Sequence, residues 1–177
     1  MSFTQQLKQH LTNAGWNSNR KTTAFDSFME EHNYPDFIRN FVRNYGDLQF
    51  RKLGAKEDDQ RNWIDLNPKE ADGYDGVLTG YVQDMGRSLY PVGYYKPEGM
   101  DIAVDDNGYV YLIGEYILCA GDDIYKGIEQ IIRVDQRHML SLDESNDTEI
   151  VWREFKNGKH QIVDLETYEF NYDFLAD

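Results

Sequence analysis

Residues 99–133 read GMDIAVDDNGYVYLIGEYILCAGDDIYKGIEQIIR, and this stretch decides the fold. Met100, Ile102 and Val104 alternate with Asp101, Ala103 and Asp105. A period of two puts the first set on one face of a strand. Val110 and Leu112 continue the apolar set beyond Asp105-Asp106-Asn107-Gly108, with Tyr116 and Leu118 behind them. Asn-Gly tolerates the positive φ values of a tight reversal, so the spacing predicts a β-hairpin. A third strand is expected over about 115–119. Either Asp122 or Asp123 can then cap a helix and complement its dipole. Ile124, Ile128, Ile131 and Ile132 recur at helical spacing and form one apolar stripe. Helix and sheet are expected to bury against each other.

The acidic turn fails as a calcium loop. With Gly108 at the sixth position, the first falls on Ala103 and the last on Gly114, so both end ligands are missing.

A chain of 177 residues can bury one sizeable core, and 40% apolar with 14% aromatic residues is a globular composition. No apolar run approaches a membrane span, so no membrane partner is expected. The N-terminus lacks a signal pattern, and the lone Cys119 excludes an internal disulfide. A soluble cytoplasmic protein is the expectation.

The net charge is −14. Residues 1–56 carry a balance of +3, residues 57–75 of −5, residues 76–133 of −5 and residues 134–177 of −7. Such a field repels nucleic-acid phosphates and steers cationic partners inward. Nucleic-acid binding is therefore excluded. Acidity also keeps a protein soluble, whatever it binds.

Helices are predicted over 3–14, from a cap at Thr22 or Thr23 to Asn33-Tyr34, and from Pro35 to Gly46. A strand follows over 47–53. Residues 54–80 read as a long loop, or a short helix between loops, with Trp63, Ile64 and Leu66 as its apolar island. Order resumes at Leu89-Tyr90-Pro91-Val92-Gly93. Residues 138–142 read as a short strand or a helix end. A second Asn-Gly hairpin joins 149–155 to 160–165 through Asn157-Gly158. Tyr168, Phe170, Tyr172 and Phe174 then alternate with Glu169, Asn171 and Asp173, which predicts a terminal strand docked on the core.

Reactive signatures are missing. His10, His32, His138 and His160 are far apart, and no HExxH, GxSxG, Walker or GxGxxG pattern occurs. Cys119 lies in an apolar strand, where burial raises a thiol's pKa. The residues point to no catalytic group, metal or cofactor.

An ordered series of short motifs remains. The first helix ends in Ala14-Gly15-Trp16, with Arg20 after it. The third ends in Phe41-Val42-Arg43-Asn44-Tyr45-Gly46-Asp47-Leu48. Leu89-Tyr90-Pro91-Val92-Gly93, the hairpin from Val104 to Tyr111 and the Gly121-Asp122-Asp123 helix complete it. The series resembles the SUKH superfamily, most closely its third immunity-protein family. Members of that family end the first helix in Gly-Trp, follow with Arg, and carry an Asp-x-x-Gly-x-Val-Tyr hairpin. They have Phe-Gly-Gly-Leu where this chain has Tyr45-Gly46-Asp47-Leu48, so Asp47 departs from the pattern. The resemblance covers roughly 3–133. It implies an α+β fold, with N-terminal helices on a mainly antiparallel twisted sheet. On this reading 1–133 is the SUKH-like domain, and 134–177 is a C-terminal β extension packed on it.

The resemblance further implies a bacterial immunity protein that binds a cognate toxin, often a nuclease, without catalysis or cofactor. A regulatory or scaffold module of the same fold is the alternative. A nuclease presents cations to phosphate, and an acidic protein can occupy that surface. The candidate contact patch is Glu57, Asp58, Asp59, Asp65, Glu70, Asp72 and Asp75 around Trp63, an aromatic anchor inside a charged rim.

Overall fold

The central hairpin forms where the alternation places it. In a computed structural model that describes residues 2–54, 63–71, 85–96, 98–133, 136–143 and 151–175, it joins Met100–Asp105 to Val110–Ile113. Its loop differs from the expected tight turn. Four residues intervene, and of the Asn-Gly pair only Gly108 takes a positive φ, of 93°. The Asp105 carboxylate sets this loop, because its Oδ1 accepts the backbone N–H groups of Asn107 and Tyr109 at 2.9 Å each.

Among the described residues, nine strands form one antiparallel sheet in chain order. They are β1 (Gln49–Arg51), β2 (Trp63–Asp65), β3 (Leu89–Tyr95), β4 (Met100–Asp105), β5 (Val110–Ile113), β6 (Ile117–Gly121), β7 (Leu140–Asp143), β8 (Val151–Lys156) and β9 (Lys159–Val163). Helices α1 (Gln5–Asn13), α2 (Asp26–Glu31) and α3 (Asp36–Tyr45) precede the sheet, and α4 (Ile124–Arg133) lies between β6 and β7. The architecture is the expected α+β fold.

The sheet has a buried cluster on each face. Ile102, Val104, Val110, Leu112 and Leu118 point to the helices and meet Ile124, Ile128, Ile131 and Ile132 of α4. Ala103, Tyr111, Ile113, Ile117 and Cys119 point the other way and meet Leu140, Trp152 and Leu165. Burial on both faces explains why β5 and β6 are almost wholly apolar, while β4 carries Asp101 and Asp105 as buried exceptions. Helix α4 approaches the sheet most closely at Gly127, where an added Cβ would lie 2.6 Å from Val110 Cβ. Asp123 caps this helix, accepting from the N–H groups of Tyr125 and Lys126.

The first two motifs of the series meet in one seam. Helix α1 ends in a six-residue reversal, with Trp16 N–H donating to Leu11 O at 2.9 Å, Gly15 N–H to Thr12 O, and Gly15 at φ 96°. The reversal stacks Trp16 on Tyr45 at the end of α3, with ring centroids 5.7 Å apart. Arg20 donates to the Gly46 carbonyl at 2.8 Å. Gly46 admits no Cβ, which would lie 2.5 Å from Val42 O. Asp47 sits at φ 63°, so the residue that departs from the family pattern occupies a conformation glycine favours and aspartate tolerates.

Three expectations are corrected, and the choice left open at 138–142 is resolved. Helix α2 starts at Asp26, because the Thr22 hydroxyl accepts from Ala24 N–H while Thr22 N–H donates to Arg43 O. Residues 63–65 are a strand between β1 and β3, not loop or helix. Residues 138–142 divide into a 3-10 turn, Gln136–His138, and strand β7. Residues 168–172 form no ladder and lead into a 3-10 turn, Asp173–Leu175. Tyr168 and Phe170 nonetheless pack against the second cluster. The Tyr172 hydroxyl donates to Asp122 at 2.6 Å.

Gly127→Ala tests the close approach of α4. Alanine ordinarily stabilises a helix interior. Here the clash with Val110 should reverse the sign and cost about 1–3 kcal/mol. Equilibrium urea unfolding measures it, and a stabilised variant would show that α4 sits farther from β5.

Candidate partner-binding surface

Trp63 opens β2 with its indole half-buried and the Arg51 guanidinium 5.5 Å above its ring centroid. The pairing Arg51↔Trp63 of β1 and β2 places the cation there. The ring is covered on that side by the chain itself. Glu70 is exposed in the turn after Pro68, and its neighbour Lys69 reaches over the rings of Phe25 and Phe28.

Asp65 belongs to the interior. It is 2% exposed and accepts from Gln49 Nε2 at 2.6 Å, its partner across the strands. Its other oxygen is buried with no hydrogen-bond partner among the described residues. Asp65 cannot serve in a charged rim, because the side chain faces the protein and not solvent. Burial pushes its carboxyl above the ordinary carboxylate range; the Gln49 hydrogen bond and the Lys96 charge oppose the rise, while Glu70 and Asp47 add to it. Glu57, Asp58, Asp59, Asp72 and Asp75 lie outside the described residues. Of the eight positions singled out from sequence, the structure thus brings Trp63, Asp65 and Glu70 onto β2 and the turn after it.

Two further carboxylates are consumed internally. Asp105 Oδ2 accepts from the Arg87 guanidinium at 2.6 Å and from the Tyr111 hydroxyl at 3.0 Å. Arg87 also pairs with Glu166. Glu129 of α4 accepts from Thr4 N–H at 3.0 Å, from the Thr4 hydroxyl and from Arg133, and so ties the start of α1 to α4. These are structural fasteners, with every contact supplied by the chain's own donors.

Among the described residues, the cysteine and the histidines considered as candidates have structural surroundings. Cys119 is fully buried, and burial drives its thiol far above the ordinary range. His10 bonds Arg51 O, and His32 bonds Phe28 O and packs on the Phe28 ring. Among the described residues, no group of three His, Cys, Asp or Glu side chains could hold a metal ion. No helix among them is long and apolar enough to cross a membrane.

The surface has a feature the sequence reading passed over. Beside β8 lies an open cleft of about 450 Å³, lined by His138, Glu154, Phe155, Lys156, Asn157, Tyr168 and Asn171. Tyr168 closes one wall, its hydroxyl donating to Glu154 at 2.9 Å. Phe155 and Ile162 stand exposed at this end of the sheet. An exposed apolar pair on a strand hairpin was legible in the sequence only as alternation, which does not say which face is covered.

The raised Asp65 carboxyl makes a pH-dependent prediction. The folded state holds this proton more tightly than the unfolded chain. Stability should therefore fall as pH rises from the ordinary aspartate range through the raised folded value. Asp65→Asn keeps an acceptor for Gln49 and removes the charge. At neutral pH the variant should be at least as stable as the parent, and in acid below the ordinary aspartate range this advantage should disappear. Thermal melts across pH measure this, and a parent clearly more stable at neutral pH would show that Asp65 gains from being charged.

The fold and its motif seam agree with one known family. No curated protein and no solved structure matches the chain. A family model described as SUKH-3 immunity protein matches residues 3–134, which takes in the helices, the motif seam, the central hairpin and α4. The chain belongs to the SUKH-3 immunity protein family.

Proposed function

We propose that the chain neutralises a cognate bacterial toxin, a nuclease, by non-covalent binding in the cytoplasm of the producing cell. The observation that carries this reading is the family match over 3–134 in a chain of net charge −14. On this reading the chain acts by covering the toxin's working surface. A nuclease gathers cations to hold phosphate, and an anionic cover is attracted to that surface. The internal pairing of Asp65, Asp105 and Glu129 supports the same view, because these three buried carboxylates bond to the chain's own donors. The outward field belongs to the others.

The contact proposed is the acidic segment around β2: Glu57, Asp58, Asp59, Glu70, Asp72 and Asp75, with Trp63 at its centre. For the five outside the described residues, the proposal rests on sequence charge. Residues 57–75 carry a balance of −5 in nineteen positions.

The test uses the toxin encoded beside this chain. Asp58→Lys, Asp59→Lys and Asp72→Lys are combined, and association is followed by stopped flow at low and at moderate salt. The association rate should fall at least about tenfold at low salt, and its salt dependence should flatten. A rate and affinity equal to the parent's would remove the segment from the interface. Failure of the parent to bind or inhibit the toxin would remove the toxin reading itself.

A further inference from the structure

Strand β9 ends the sheet, and its chemistry is the reverse of the body's. In the hairpin over 151–163, Arg153 pairs with Asp143 of β7, which leaves Lys156 and Lys159 against Glu154 in a chain of −14. Asn157 and Gly158 both take positive φ, 53° and 74°, so the turn has two residues and Lys156↔Lys159 is the closing pair. In such a hairpin the closing pair exchanges both of its hydrogen bonds, and bonded and non-bonded pairs alternate beyond it. Glu154↔Gln161 is then bonded, whereas Phe155↔His160 and Arg153↔Ile162 are not. It follows that the N–H and C=O groups of His160 and Ile162 point away from β8. Among the described residues they meet no backbone partner.

The side chains on this edge are equally open. Leu118, Ser141, Arg153 and Ile162 are successive partners across β6 to β9, so they share the face on which α4 lies. Helix α4 packs on β5 and β6. At the far end of the same face Phe155 is 49% exposed and Ile162 65% exposed, with the His160 ring 5.1 Å from that of Phe155. Lys156, Lys159 and Gln161 are exposed on the other face. The edge has free hydrogen-bonding groups in the centre, apolar side chains on one side and cations on the other.

We infer that β9 is a docking edge for an extended acidic segment of another protein, which adds as a tenth strand opposite His160 and Ile162. The segment places apolar side chains beside Phe155 and Ile162, and carboxylates beside Lys156 and Lys159. Strand addition supplies main-chain hydrogen bonds, and alternate side chains supply selectivity. Charge decides between occupants. A second copy would bring Lys156 and Lys159 against the same lysines of its partner, and one −14 body to another. An acidic strand meets opposite charge here, from Lys156 and Lys159. The site is independent of the toxin reading: β2 and β9 are seven strands apart, roughly 30 Å at the usual strand spacing.

The probes are two capped peptides, one alternating valine and glutamate and one alternating valine and lysine, titrated into the full chain by fluorescence anisotropy. The glutamate peptide should bind about tenfold tighter or better, as expected when two exposed charge pairs change sign. Ile162→Pro removes an outward N–H and no bond to β8. It should abolish binding and leave the thermal melt unchanged. Equal binding of the two peptides, no binding of either, or binding that survives Ile162→Pro would each overturn the inference. So would a dimer in sedimentation that Ile162→Pro dissolves, because the second copy would then be the occupant. Should Ile162→Pro lower the melt, Lys156→Glu with Lys159→Glu decides. The pair should reverse the preference between peptides, and an unchanged preference overturns the assignment.

Discussion

Asp105 carries a charge into the interior, with 1% of its surface exposed. An isolated carboxylate there would be prohibitively costly, and it is retained because four donors converge on it. Two are backbone N–H groups of its own loop, one is the Tyr111 hydroxyl on β5, and one is the Arg87 guanidinium that precedes β3. The network extends outward from Arg87. Its guanidinium lies 5.1 Å from the Tyr109 ring centroid and pairs with Glu166, while Tyr109 donates to Leu165 O at 3.0 Å. The central hairpin, the entry to β3 and the segment after β9 are thereby fastened at one point. With both oxygens engaged, Asp105 has little left to offer a metal or a substrate. The acidic turn that invites a calcium reading is occupied by the protein's own donors.

The same logic explains what the family's motifs are for. Trp16, Arg20, Gly46 and Asp47 are far apart in sequence and meet between the ends of α1 and α3. Each has a local reason: a stacked ring, a bonded carbonyl, a missing Cβ, a left-handed backbone. Asp105, Gly108, Val110 and Tyr111 do likewise in the hairpin. The motif residues therefore specify a scaffold and not a shared reactive site. A family defined this way can keep its fold while its partner surface changes.

This division also explains which parts were legible. Helices α1, α3 and α4 and the central hairpin follow from local periodicity and form close to where the sequence places them, whereas α2 starts beyond its expected cap. Strand β2 is three residues long with Ile64 as its buried apolar anchor, and it exists because β1 and β3 flank it. Neither neighbour is visible from the segment itself. The alternation of Tyr168, Phe170 and Tyr172 is real, but their rings satisfy it by packing and by the bond to Asp122. Period two reports which side a residue faces, not whether its backbone has a strand to pair with. Asp65 was counted with the surface acids because residue type does not reveal burial. Its cross-strand partner Gln49 is sixteen residues away.

The cations are distributed by the same accounting. Arg43 pairs with Asp26, Arg87 with Asp105 and Glu166, Arg133 with Glu129, and Arg153 with Asp143. Each such pair cancels locally and adds little to the distant field. The surplus of carboxylates is what a partner meets first, over most of the surface. At β9 the surplus reverses, since Lys156 and Lys159 stand exposed with a lone acid, Glu154, near them in the hairpin. Under the two proposals, the acidic segment around β2 and the lysines beside β9 offer opposite charges to partners. Complementarity of shape and charge is the means of discrimination proposed for this chain, and opposite charges at the two proposed sites would allow it to distinguish two kinds of partner.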